Sequence, residues 1–154
     1  MQLQKASSFA LYAVLELAGN PTSQLSGTEI ADKYGISAHH LAKVLRDLGR
    51  AGIVEAARGV GGGYRLAVNT KRLTLLDVIQ IFEPIGPQGA AKDDLELATD
   101  AGCALRMVLD ELDDHAVATF RSITISTMLK LVARRPWAGA PRFQKPLRKT
   151  ASRR

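Results

Sequence analysis

Three features of the sequence predict a mainly α fold with one small β-hairpin and a long helix near its end. Residues 26–48 hold two short amphipathic patterns that meet across only Gly35 and Ile36. Residues 53–68 hold two short β-forming runs separated by a glycine-rich stretch. From Ala104 onward, apolar residues recur at helical spacing as far as Ile123. A length of 154 residues suits one compact domain with an appendage.

The first element is residues 8–18, SFALYAVLELA, which are apolar nearly all round. Ser7 or Ser8 offers an N-cap, and Asn20 and Pro21 offer a stop. A helix with no polar face needs burial on several sides, and part of that burial is expected from a second subunit. Glu16 interrupts the run and no small-residue cleavage site follows, so it reads as a helix of a mature cytoplasmic protein, not as a signal peptide. No stretch approaches the roughly 18 unbroken apolar residues that span a bilayer, and no membrane partner is expected.

Residues 26–29, SGTE, form a capping box: the Ser26 side chain accepts from the Glu29 amide, and Glu29 reaches back to Ser26. The helix they start runs to Gly35, where a left-handed residue can end it. Ser37 is placed to cap the next helix, whose apolar stripe is Leu41, Val44, Leu45 and Leu48. Two amphipathic helices joined by a tight glycine turn outline a helix-turn-helix.

Residues 53–57 and 64–68 then read as a β-hairpin with Gly59, Gly61, Gly62 and Gly63 at its tip. Glycine-rich loops also cradle nucleotide phosphates, but those lead from a strand into a helix, with Lys-Ser/Thr in a P-loop. Here the glycines join strand to strand, so both enzyme readings fail on context. A hairpin directly after a helix-turn-helix is a wing. The phosphate it meets is that of DNA, with Arg58 aimed at the minor groove.

Residues 74–83, TLLDVIQIFE, predict another helix, boxed by Thr74 and Asp77, with Leu75, Val78, Ile79 and Phe82 as its stripe. Residues 84–92 are loop by composition, and 93–101 predict a short helix. The long helix follows, with Leu105, Val108, Leu109, Leu112, Ala116, Phe120 and Ile123 on one face. This face is a candidate dimer interface; packing on its own domain is the plainer alternative. The chain thus divides into a winged helix-turn-helix at 1–83, a loop and short helix at 84–103, a dimerisation region at 104–135, and a basic tail at 136–154 expected to be disordered in isolation.

Charge is also unevenly distributed along the chain. Residues 1–75 carry nine Lys/Arg against five Asp/Glu, residues 76–133 four against ten, and residues 134–154 eight against none. A basic front and tail attract polyanions. Candidate DNA contacts are His39 and His40 in the first turn of the second helix, where base edges are commonly met, with Lys43 and Arg46 for phosphate. Ser37 offers its amide neighbourhood, Gly61 and Gly62 close backbone approach, and Lys5, Thr28 and Tyr64 weaker backbone contacts. Adjacent histidines point about 100° apart on a helix, a poor arrangement for one metal. No nucleophile–base pair, metal set or carboxylate pair stands at a usable spacing, so no enzyme is expected.

The single cysteine, Cys103, rules out an intramolecular disulfide. It reads either as a small buried apolar residue or as a redox-responsive thiol. A helix N-terminus promotes thiol reactivity; the neighbouring Asp100 opposes it.

The stretches FALYAVLELA, GTEIADKYGISAHHLAKVLRDLGRAGIVEAARGVGGGYRLA and LTLLDVIQIFEP together resemble the family of small bacterial winged-helix regulators typified by the iron–sulfur cluster regulator IscR and the nitric-oxide sensor NsrR. The resemblance covers about residues 1–130. It implies a homodimer in which the long helix after Cys103 crosses its partner, a recognition helix starting at Ser37, and a wing from Arg58 to Tyr64. Sensors of that family carry three cysteines before the long helix; here only Cys103 stands, at the place of the third. One thiol per chain cannot supply the usual ligands of a cluster, so no iron–sulfur cofactor is expected. The resulting expectation is a sequence-specific, double-stranded-DNA-binding transcription regulator, a homodimeric repressor. The alternatives are control through a protein partner, with the acidic middle segment as its surface, and thiol-redox sensing through Cys103.

Overall fold

The computed structural model describes residues 2–57, 59, 61–86 and 99–134. Among them are six helices and one two-stranded antiparallel sheet, in the order α1 (Lys5–Gly19), α2 (Gly27–Tyr34), α3 (Ala38–Arg50), β1 (Val54–Ala57), β2 (Gly63–Leu66), α4 (Leu75–Ile79), α5 (Asp100–Ser122) and α6 (Ile125–Arg134). The expected mainly α fold with a hairpin is the one observed. Arg58, the basic tail and most of the helix expected at 93–101 lie outside the described residues; Asp100 and Ala101 already belong to α5.

α1 is the centre of the core. Ser7, Ala10, Ala13, Val14, Leu17 and Ala18 are buried on it, and α2, α3, α4, α6 and β2 all pack against it. This stripe is buried by the chain's own elements, while Tyr12 on the outer side is 43% exposed. One expectation for α1 is corrected: neither serine caps it, and the N-cap is Gln4, without a side-chain capping bond. Ser7 already faces the core, fully buried, with no hydrogen-bond partner for its Oγ among the described residues. The Gln4 amide instead donates to Glu83 Oε1 at 2.9 Å, tying the start of α1 to the chain beyond α4.

The outer side of α1 is not apolar throughout. Glu16 accepts from Lys33 Nζ at 2.7 Å through each oxygen and from the Tyr34 hydroxyl at 2.9 Å. Tyr34 also stacks on Tyr12, with centroids 4.9 Å apart and planes 5° from parallel. Burial first, then the hydrogen bond and charge of Glu16, push the Tyr34 hydroxyl up to about 12. This cluster clamps the end of α2 to α1.

The capping box of α2 is present: the Glu29 amide donates to Ser26 Oγ at 3.1 Å, and the Ser26 amide to Glu29 Oε2 at 2.7 Å. The bonds from Ser26, its backbone first, hold the Glu29 carboxyl below its usual range. Gly35 ends α2 at φ 64°, a conformation costly for any residue with a Cβ. Ser37 occupies the N-cap of α3 but makes no side-chain capping bond. Leu41, Val44, Leu45 and Leu48 are all buried, as their spacing predicts.

Two helical predictions are corrected in extent. The helix expected at 74–83 keeps its Thr74–Asp77 box but is regular only to Ile79. Beyond it, the amides of Ile81 and Phe82 bond carbonyls three residues back, at 3.4 and 2.9 Å, and the chain tightens toward Pro84. The long helix begins at Asp100, not Ala104, because Thr99 Oγ1 caps it by accepting from the Gly102 amide at 3.0 Å. It also ends early. Ile123 is extended, at φ −100° and ψ 111°. Its carbonyl accepts from Leu75 at 2.9 Å while Ile125 donates to Leu73 at 2.8 Å. Three β-branched residues in a row, Ile123, Thr124 and Ile125, favour this extended pairing over helix. The fully buried Ile125 then enters the core and starts α6.

The Tyr34 clamp has a pH signature. The folded hydroxyl titrates at about 12, above the ordinary 10.0, so the unfolded chain loses its proton first. The stabilisation is complete below about pH 10 and is lost as pH rises through about 12. Urea midpoints across that window are expected to fall more steeply for the wild type than for Tyr34→Phe; equal slopes would remove the clamp.

Candidate nucleic-acid interface

Seating the apolar stripe of α3 in the core turns the opposite face to solvent. That face carries His39, Ala42, Lys43, Arg46 and Arg50, all exposed. Steps of three or four residues put them on one side of a helix. His39, Ala42, Lys43 and Arg46 line a single shallow depression. Asp47 sits at the edge, with Arg50 Nη1 at 3.5 Å and Arg46 Nε at 4.0 Å. Exposed pairs of this length are weak, so both guanidinium groups stay available to a stronger anion. Arg50 was not singled out from the sequence; its place one turn beyond Arg46 was the available signal.

The two histidines are not equivalent. Their rings lie 6.1 Å apart and tilted by 55°. His39 belongs to the depression, whereas His40 borders a cleft shared with Lys5 and Phe9 of α1. Ser37 is exposed before the first turn of α3, Thr28 is exposed in the first turn of α2, and Lys5 is exposed at the start of α1.

The hairpin stands beside these helices. β1 and β2 pair Val54 with Leu66, Glu55 with Arg65, Ala56 with Tyr64 and Ala57 with Gly63. Arg65 Nε lies 2.7 Å from Glu55 Oε1 across the strands. The second strand ends before the expected Val68; Ala67 makes one last bond to Ile53 and Val68 is exposed. Tyr64 exchanges both backbone bonds with Leu25, at 2.8 and 3.1 Å, so the residue before the N-cap of α2 joins the hairpin. Tyr64 is half-buried. It links wing to helices through its backbone, a role its identity alone did not show.

The tip glycines have different causes. Gly61 is exposed with φ 80°. Gly62 is crowded: a Cβ there would lie 2.5 Å from the Ala57 carbonyl oxygen and 2.9 Å from that of Gly59.

α5 has no buried residue over its 23 positions. Leu105, Val108, Leu109 and Leu112 are 61, 57, 48 and 60% exposed, and Met107 is exposed beside them. Ala116 is half-buried. Phe120 and Ile123, placed on the same face by spacing, pack instead against the chain's own core, because the helix meets α4 there and then breaks. Cys103 is exposed in the first turns of α5, so its reading as a buried apolar residue is corrected. His115 is exposed, with Nδ1 2.7 Å from the Glu111 carbonyl oxygen. No described helix is long and apolar enough to cross a membrane.

A helix-turn-helix whose second helix shows a basic face, flanked by a glycine-tipped hairpin, defines a winged-helix DNA-binding protein. The chain belongs to the Rrf2 family, described as iron-dependent transcriptional regulators, whose profile matches residues 3–131. It is 53% identical over 134 residues to a protein of Rhodopseudomonas palustris named as an HTH-type transcriptional regulator, BadM, covering 86% of this chain and 83% of that protein. Among solved structures it resembles CymR, the global cysteine regulator of B. subtilis, with a TM-score of 0.73 and 25% identity over 85% of this chain and 98% of that one. It shares its fold with T. potens IscR, at a TM-score of 0.70 and 23% identity over 86% and 88% of the two chains. The protein is thus a DNA-binding transcriptional regulator.

The family description implies iron, and the residues present do not fit a thiolate-held cluster. The chain has one cysteine, and among the described residues no three His, Cys, Asp or Glu gather where a metal could be held. Such clusters take Cys thiolates, commonly four.

Gly62→Ala is expected to force the hairpin tip apart. A stability loss of about 1–3 kcal/mol follows if the backbone cannot yield. Urea denaturation reads it, and an unchanged midpoint would show that the tip absorbs the methyl group.

Proposed function

We propose that the protein is a cytoplasmic, homodimeric repressor that reads operator DNA with α3 and the hairpin wing. The observation that carries this reading is the outer face of α3, where His39, Lys43, Arg46 and Arg50 are exposed on a helix held rigidly from behind. His39, and His40 at the edge, meet base edges from the first turn; Lys43 and Arg46 hold phosphate. The amide ends of α2 and α3, at Thr28 and Ser37, receive flanking phosphates. Gly61 and Gly62 let the wing approach closely, and Arg58 enters the minor groove.

Dimerisation rests on α5. An amphipathic helix gains its stability by burying an apolar face, and Leu105, Val108, Leu109 and Leu112 leave about half or more of theirs exposed within the chain. A second copy of the same face covers them with two-fold symmetry. That symmetry sets two copies of α3 about 34 Å apart, on successive major grooves. A dimer so placed over a promoter excludes polymerase.

Lys43→Ala and Arg46→Ala are each expected to weaken binding to the chain's own upstream promoter fragment, measured by fluorescence anisotropy. Each lost phosphate contact lowers the slope of log affinity against log salt by about one unit. Unchanged affinity and slope in both variants would move the DNA face off α3.

Leu109→Glu buries a charge in the proposed interface. A shift from dimer to monomer is expected in light scattering, with the helical circular dichroism of residues 5–79 retained and promoter affinity reduced. A wild-type protein that is monomeric at micromolar concentration would overturn the dimer.

A further inference from the structure

A second concave feature lies behind α3, where the start of α1, the inner edge of α3 and the turn after α4 converge on a cleft of about 450 Å³. That volume is in the range of small-molecule sites. Its floor is Phe9, Val44, Ile81 and Phe82, all half-buried or buried. Its rim carries Lys5 and Lys43, both exposed, with His40 beside them. Among the described residues Asp47 is the one carboxylate lining it, and Arg50 Nη1 stands 3.5 Å from that carboxylate. Glu83 lies just outside and is taken up by the Gln4 amide at 2.9 Å, a bond that also fixes one wall to the other. The cleft therefore offers an apolar floor under an excess of positive charge.

We propose that this cleft binds a small organic acid with an apolar body, its anionic group between Lys5 and Lys43 and its hydrocarbon against Phe9 and Phe82. Neither a phosphate nor a bare inorganic anion uses the floor, and a neutral hydrocarbon leaves the rim unanswered. Lys43 and His40 belong both to the cleft and to α3. A bound acid consumes the charge of Lys43 and occupies space at the first turns of α3, so ligand and DNA compete. The binding claim stands on the cleft alone. The competition claim rests on the assignment of α3 as the DNA-reading helix.

The test uses the full-length protein and two fluorescent probes of matching shape, anilinonaphthalene sulfonate as the acid and phenylnaphthylamine as its uncharged counterpart. Lys5→Glu and Lys43→Gln, both changes at exposed positions, are expected to weaken the sulfonate about three- to fivefold, the size of one partly screened ion pair. The neutral probe should change by less than about twofold. Promoter duplex is expected to displace the sulfonate from the wild type. Sulfonate affinity unchanged in both variants, or lost instead in Leu109→Glu, would place the probe elsewhere and overturn the site. Sulfonate and duplex bound together at unaltered affinities would overturn the competition. Failure of the DNA assignment shows separately, as wild-type protein that does not bind the duplex when no probe is present.

Discussion

The structure is seated on α1, and α1 serves as the seat because most of its buried positions are small. Ser7, Ala10, Ala13 and Ala18 let neighbouring elements approach its backbone, while Val14 and Leu17 fill the space between. Five other elements touch it. An unpartnered buried hydroxyl costs about 1–3 kcal/mol, and among the described residues Ser7 carries one. Its small volume is what the close packing needs at that point.

From that seat the proposed DNA-facing surface follows. The apolar stripe of α3 faces inward, the Gly35 turn sets its angle to α2, and the Glu16–Lys33–Tyr34 clamp holds α2 from its far end. The hairpin joins the same frame through the Leu25–Tyr64 pairing. Helix and wing are therefore fixed to one another by backbone bonds, so the basic face of α3 is presented with little entropy left to lose on binding.

α5 obeys a different constraint. Its C-terminal end is anchored by Phe120 and by the extended pairing at Ile123 to Ile125, while its first four turns leave Leu105, Val108, Leu109 and Leu112 about half or more exposed. Burying one such side chain is worth about 1.5–3 kcal/mol. The anchoring at one end directs the unburied part outward as a lever, which leaves it open to the second copy that the proposed dimer requires.

Features that depend only on neighbours in the chain were legible without coordinates. Both capping boxes, the Gly35 stop and the stripe of α3 come from residues within four positions of one another, where helix geometry alone decides the contact. The helix-turn-helix and the wing, and with them the DNA-binding class, follow from such local signals in series. Features that depend on distant partners were not. Ser7 has the chemistry of a cap but was turned inward by the core. Ile123 has helical spacing but was drawn into pairing by Leu73 and Leu75, some 50 residues away. His39 and His40 are adjacent in sequence, yet only the approach of α1 assigns one to the open face and the other to the cleft. A helix stripe says that a surface is apolar; which surface meets it is set by packing between elements remote in the chain, and that only the tertiary structure decides.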